Sequence, residues 1–280
     1  MNRPQSILIF LPDGSPRGIK IAQINNRVMK AILFPRNKFD LAGQRDEVKN
    51  VGIYFLFGES SSKAKPLAYI GEGENCFERL KSHNRNKEFW THAVIFFSQV
   101  KSFNKGHVNY LEHTAIKEAK AANRYELENA DTPKRPHILE HVEADLLDNF
   151  ETIKMLLSTL GYPIFDPITR SAREDDEIFT ISGSGITAEG DLNDDGFVIY
   201  SGSYARLETT NSCHDYIITL REKLLNDGIL TPKEDKLQFV KDHLFNSAST
   251  AGMVVLGRPV NGWTAWKNKA GKTLDELKRT

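Results

Sequence analysis

The sequence predicts an α/β protein in which a small mixed-sheet domain is followed by an α+β module. Three observations carry that prediction. Apolar runs of strand length at residues 51–57 and 67–71 flank a short polar loop at 59–63, the pattern of a hairpin. A helical segment at 76–83, a β-rich apolar run at 91–98 and a second helix around 108–116 follow it, and the order strand, strand, helix, strand, helix makes a layered α/β sandwich. The chain is 280 residues long, enough for about two domains. The expected division is an N-terminal strand-rich extension at 1–45, the mixed-sheet domain at 46–150, a helix and acidic linker at 151–177, and the C-terminal α+β module at 178–280.

Taken in order, the extension opens with the strand-like run at 6–11. A turn by composition follows at Pro12-Asp13-Gly14-Ser15-Pro16, then an alternating run at 18–24 and an apolar run at 31–34 that ends at Pro35. None of these residues carries catalytic chemistry, so packing against the next domain or touching its substrate is the expected role. In the segment at 76–83, Phe77 and Leu80 form the inward stripe. Beyond the second helix, Leu146, Leu147, Phe150, Ile153, Leu156, Leu157 and Leu160 recur near helical spacing until Gly161 ends the run. Pro163, Pro167 and the charged run from Arg173 to Glu177 read as a linker. In the last hundred residues, strands are expected at 178–181 and 196–203. A helix is expected at 212–225, with Tyr216, Ile217, Leu220 and Leu224 on its buried stripe and Gly228 just past its end.

The 37 basic and 37 acidic residues balance, so no global field draws the chain to nucleic acid. Local asymmetry is informative. Arg79, Lys81, Arg85 and Lys87 form a basic strip along the 76–83 segment, suited to a phosphate backbone, whereas acidic residues dominate from Glu174 to Asp195 as a solvated linker and turn. Cys76 and Cys213 lie far apart and make no metal-ligand pair, which fits a reducing compartment. No apolar run approaches membrane-spanning length, so a cytoplasmic protein with no membrane partner is expected.

The chemistry concentrates in the hairpin and the two helices after it. Arg79 and His83 are four apart, stacked one turn from each other on a helix, and Tyr54 and Tyr69 lie on the strands that feed into it. Glu112 belongs to the second helix. A guanidinium to hold a phosphate, phenols and an imidazole to move protons, and a carboxylate for a divalent metal make an inventory for phosphodiester hydrolysis.

These residues resemble the GIY-YIG nucleases. Gly52-Ile53-Tyr54 stands for the first motif and Tyr69-Ile70-Gly71 for the second. Arg79 stands for the catalytic arginine, His83 for the histidine one turn later, and Glu112 for the metal-binding glutamate. The family's late asparagine falls at Asn129, with Asn123 as its rival. The loop between Tyr54 and Tyr69 is longer than is usual in the family. The resemblance implies a DNA endonuclease using Mg2+ or Mn2+ held by Glu112. Tyr54 would then be the general base, its pKa lowered by nearby cations, Tyr69 and His83 would support the proton network, and Arg79 would stabilise phosphoryl charge. A DNA-binding or modified-base reading protein on a nuclease-like fold is the second reading.

The tail resembles the uncharacterised DUF4357-like module found after some GIY-YIG domains. More loosely, Ser247-Ala248-Ser249-Thr250-Ala251 and Asn261-Gly262-Trp263-Thr264-Ala265-Trp266-Lys267 resemble segments of modules from restriction and adenine-methylation systems. Trp263 and Trp266 would stack on bases or close a small core, and Lys267, with Arg258, Lys269 and Lys272, would meet phosphates. Two motifs are read as decoys. His137-Ile138-Leu139-Glu140-His141 has a metallopeptidase spacing but would start in a first helical turn after Pro136, without a partner ligand. Asp191-Leu192-Asn193-Asp194-Asp195-Gly196 begins like a calcium loop, yet Gly202 stands where the bidentate glutamate belongs, so a strand-connecting turn is expected.

Overall fold

The computed structural model describes residues 4–168, 170 and 177–278. It is a mixed α/β structure with several sheets, dividing into two compact units: Met1–Ser61 with Lys65–Pro167, and Ser62–Ala64 with Ile168–Thr280. The acidic residues 174–176 of the expected linker lie outside the described residues. Among the described residues no helix is long and apolar enough to cross a membrane.

The first unit runs β1 (Ile7–Phe10), β2 (Lys20–Ile24), β3 (Met29–Pro35), α1 (Phe39–Gly43), β4 (Gly52–Gly58), β5 (Leu67–Gly73), α2 (Cys76–Asn86), β6 (Trp90–Ser98), α3 (Lys105–Ala122), β7 (Glu126–Leu127) and α4 (Glu140–Thr159). Its seven strands form one sheet in the order β1-β2-β3-β6-β4-β5-β7, antiparallel except for the β5–β7 pair. The N-terminal strands are therefore part of this sheet and not a separate extension. β6 is a central strand, its backbone paired with β4 along one edge and β3 along the other, the position in which a run apolar on both faces is found.

Two apolar layers sandwich the sheet. On one face Phe55, Phe96 and Ile70 pack with Leu111, Ile116, Phe150 and Ile153 of α3 and α4. On the other, Tyr54, Ile95 and Phe34 pack with Leu80 of α2, Phe39 of α1 and Val48 of a 3-10 turn at Asp46–Lys49. A boundary at 150 would cut α4 in half. The helix is continuous because Leu146, Phe150, Ile153, Leu156 and Leu157 form one buried stripe against the sheet. It starts at Glu140, after Pro136, so His137 lies before the helix and not in its first turn.

The second unit contains β8 (Phe179–Gly183), β9 (Ile186–Asn193), β10 (Gly196–Ile199), β11 (Tyr204–Arg206), α5 (Asp215–Asn226), β12 (Leu230–Lys233), β13 (Lys236–Phe239), β14 (His243–Phe245), α6 (Ala248–Leu256), α7 (Gly262–Ala265) and α8 (Leu274–Lys278). The strands make a four-stranded sheet, β14-β10-β9-β8, and a three-stranded one, β11-β13-β12. The calcium-like stretch is the turn between β9 and β10, where Asn193 Oδ1 accepts from the N–H groups of Asp195 and Gly196 at 3.0 Å each. On α5 the stripe departs from expectation. Tyr216 is 55% exposed, and Arg221 is buried instead, its guanidinium donating to the carbonyls of Val254, Arg206 and Leu207. A cation enters this core because three backbone acceptors meet it.

The Phe55 ring, fully buried, stands edge-on to Phe96 at 5.7 Å and to Phe165 at 5.9 Å. Phe55→Ala is expected to destabilise the first unit by about 3–5 kcal/mol, read as a fall in its urea midpoint; an unchanged midpoint would remove the ring from the core.

Candidate active site

Two glycines decide how the site can be built. Cross-strand register sets Tyr54 on β4 opposite Gly71 on β5, and a Cβ at Gly71 would overlap the Tyr54 hydroxyl. The phenol therefore lies across the neighbouring strand, where any side chain would displace it. Gly52 is under a similar constraint, since a Cβ there would overlap the Phe96 carbonyl and crowd Cys76 Sγ. Each glycine is demanded by close approach, in line with the role of glycine inside strands.

The helix α2 then brings the remaining groups over the sheet. Asn75 caps its start, the side chain accepting from Glu78 N–H at 3.2 Å, and Cys76, Leu80 and His83 face inward. Tyr54 Oη and His83 Nε2 are 2.8 Å apart. Burial first, then the Arg79 and Lys87 charges, push the His83 imidazole down to about 4. The ring is thus neutral near pH 7, and in the tautomer protonated at Nδ1 its Nε2 accepts a hydrogen bond from the Tyr54 hydroxyl. The Tyr69 ring lies 4.7 Å from His83 and 6.3 Å from Tyr54, with Lys87 Nζ 4.6 Å from its centre. Arg79 hydrogen-bonds to both phenols. Tyr54, Tyr69, Arg79, His83 and Lys87 are therefore one cluster.

The expectation that cations lower the Tyr54 pKa is reversed. Burial raises it far above a free phenol, and Arg79 offsets only part of that rise, because Tyr54 is fully buried while Arg79 is exposed to solvent. Tyr69 is raised as well, by burial first, but it is only partly covered and is the phenol that faces outward.

Glu112, on α3, approaches Tyr69 and Arg79, and beside it stands Glu72, at the end of β5, which forms an ion pair with Lys105. Burial, then the Glu72 charge, push the Glu112 carboxyl up to about 7. Glu72 Oε2 is buried with no hydrogen-bond partner. Two carboxylates held together, one with an unsatisfied oxygen, fit a hard divalent cation. Among the described residues no group of three or more metal-binding side chains occurs. The sequence reading passed over Glu72 and Lys105. Strand alternation held a signal for Glu72, since β5 turns Ala68 and Ile70 to the α3 face and residue 72 follows in step.

Other expected site residues lie elsewhere. Asn129 is a backbone clamp, its amide donating to Ile70 O at 2.7 Å and accepting from Ile70 N–H at 3.0 Å, so it steadies β5 without joining the proton network. Asn123 ends α3 in the left-handed conformation, as helix C-caps require. The basic strip divides, because residues two apart on a helix point to opposite sides. Arg79 and Lys87 serve the cluster, whereas Lys81 and Arg85 border a separate depression with Phe39 and Phe77, and Lys81 pairs with Glu78 at 2.7 Å. Trp266 is fully buried against Phe197 and donates Nε1–H to Ala248 O at 2.9 Å, so no base can reach it. Trp263 is half-buried and packs on the same core. Lys267 is exposed, its backbone bridging Thr180 and Thr273.

Residues 179–278 match the family described as a domain of unknown function, DUF4357. No curated protein and no solved structure matches the chain.

A raised Glu112 carboxyl makes metal affinity depend on pH with a definite sign. Were the Glu112 carboxylate to hold the cation, Mn2+ affinity, followed by electron paramagnetic resonance, would fall about tenfold per unit as pH drops below about 7. Glu72→Gln removes the neighbouring like charge and should move that fall to lower pH. A flat profile between about pH 5.5 and 8 would contradict the assignment. Gly71→Ala is expected to expose the Tyr54 phenol, shifting tyrosine absorbance while circular dichroism keeps the strand signal; an unchanged absorbance would show that the strand accommodates the methyl.

Proposed function

We propose that the chain is a metal-dependent endonuclease of the GIY-YIG kind that hydrolyses phosphodiester bonds of DNA. The observation that carries this reading is the convergence of Tyr54, Tyr69, Arg79, His83 and Glu112 at one end of the β4–β5 pair, groups drawn from two strands and two helices. The resemblance in motif order supports it.

The exposure pattern alters the roles. Tyr69, only partly covered, takes the proton of the attacking water as it passes its own to Tyr54 Oη, and Tyr54 passes its proton to His83 Nε2. The imidazolium ends with the charge, and the water oxygen bonds to phosphorus as the bond to the leaving oxygen breaks. His83 is a weak base in the free protein partly because Arg79 and Lys87 repel a proton. A bound phosphate diester neutralises those cations, so substrate raises the basicity of the relay's last member when it is needed. Arg79 holds the phosphoryl oxygens. Glu112, with Glu72 beside it, would hold Mg2+ or Mn2+, which when bound supplies positive charge for the leaving oxygen.

Cleavage of plasmid, branched and methylated DNAs with Mg2+ or Mn2+ tests the reading. Tyr69→Phe and Tyr54→Phe should each slow cleavage by about 10²-fold or more, and Arg79→Ala by about 10²–10³-fold, with Glu112→Gln inactive. Equal cleavage by the parent and these variants would refute the site. DNA retention without cleavage or metal dependence would mark a reader protein.

A further inference from the structure

An apolar pocket on the site face of the sheet has no role in the chemistry above. Cross-strand register defines its position. One row of directly paired residues runs Tyr54, Ile95, Ile32, Ile21 and Phe10 across β4, β6, β3, β2 and β1. Two residues along each strand, a parallel row runs Gly52, Phe97, Lys30, Gln23 and Leu8 on the same face. Leu8, Phe10, Ile21 and Phe97 from these rows line a cavity of about 440 Å3. Leu8 is 53% and Phe10 56% exposed, large apolar side chains on an edge strand where solvent-facing positions are ordinarily polar or charged.

Cavities that share lining residues run from the pocket toward Arg79 and Glu72. A cavity of about 560 Å3 at Glu72, Arg79 and Lys105 shares Glu74 with a small one of about 160 Å3. That small cavity shares Asn50, Ser98 and Lys101 with the apolar pocket. Lys30, Arg45 and Lys101 stand around the apolar floor, and the one acid among its lining residues, Glu47, is paired with Arg45 at 2.7 Å. Lys49 and Glu74 flank the connecting stretch.

We infer that this pocket receives an unpaired base of the substrate, so that the nuclease acts on DNA carrying a single-stranded segment beside the scissile phosphate. The inference rests on the nuclease reading. An apolar, aromatic floor inside a cationic rim matches a base with its flanking phosphates. A paired base is stacked on its neighbours and cannot enter such a pocket. Strands lie about 4.8 Å apart, so the four steps from β4 to β1 span about 19 Å, roughly five or six nucleotides of a stacked strand.

The test compares two labelled DNAs in EDTA, a blunt hairpin duplex and the same duplex with an unpaired extension of about six nucleotides. The full chain is expected to bind the extended DNA about tenfold more tightly, and Phe10→Ala to abolish that difference while leaving duplex binding unchanged. A 5-iodouracil in the extension should crosslink to the peptide containing Phe10. Equal affinity for both DNAs, or a preference untouched by Phe10→Ala and no crosslink, would overturn the inference while cleavage in Mn2+ still upheld the nuclease. A dimer in sedimentation that Phe10→Ala dissociates, with DNA preference unchanged, would assign the face to a second copy of the chain and likewise overturn it. No DNA binding and no cleavage would overturn the nuclease reading itself, and the inference with it.

Discussion

The Tyr54 phenol lies over a strand position that has no side chain and meets the His83 ring nitrogen at 2.8 Å. The arrangement of the first unit follows from that crossing. β4 and β5 must pair with Gly71 opposite Tyr54, α2 must begin soon enough after β5 for His83 to come down over the phenol, and burial must suffice to keep both groups neutral. Desolvation is the largest influence on Tyr54, Tyr69, His83 and Glu112 alike. Buried neutral groups at the floor and exposed cations at the rim give a site whose charge balance changes when an anion arrives.

Much of this was legible in the sequence, for local reasons. Alternation and apolar runs located β4, β5 and β6, and helical spacing joined Arg79 to His83. What was not legible depended on partners distant in the chain. That β3 would close on β6, making the N-terminal strands part of the sheet, depends on backbone pairing along the second edge of β6, which neither run announces alone. Glu72 and Lys105 lie 33 positions apart and acquire meaning only through their ion pair. The direction of the Tyr54 shift required knowing that its ring is sealed while Arg79 is not, a balance no motif encodes.

In the second unit the sequence motifs are explained by packing. Ser247 caps α6, accepting from Thr250 N–H at 3.1 Å, and Ala248, Ala251 and Gly252 are small because the helix lies close to Trp266, Ile181 and Val260. The serine-alanine run and the tryptophan segment are thus two sides of one contact, closed by the indole hydrogen bond to Ala248. Of the two tryptophans expected either to stack on bases or to close a small core, Trp266 closes the core.

Asn129 supplies a donor and an acceptor to Ile70 just where the two-residue strand β7 stops pairing with β5. One side-chain amide thus imitates the next residue of a strand and saturates an edge that would otherwise offer its backbone to any extended peptide. The edge it guards carries Tyr69. Loss of that clamp would bare the backbone of the strand that holds the outer phenol, so the placing of Tyr69 and the closure of the sheet edge share a single side chain.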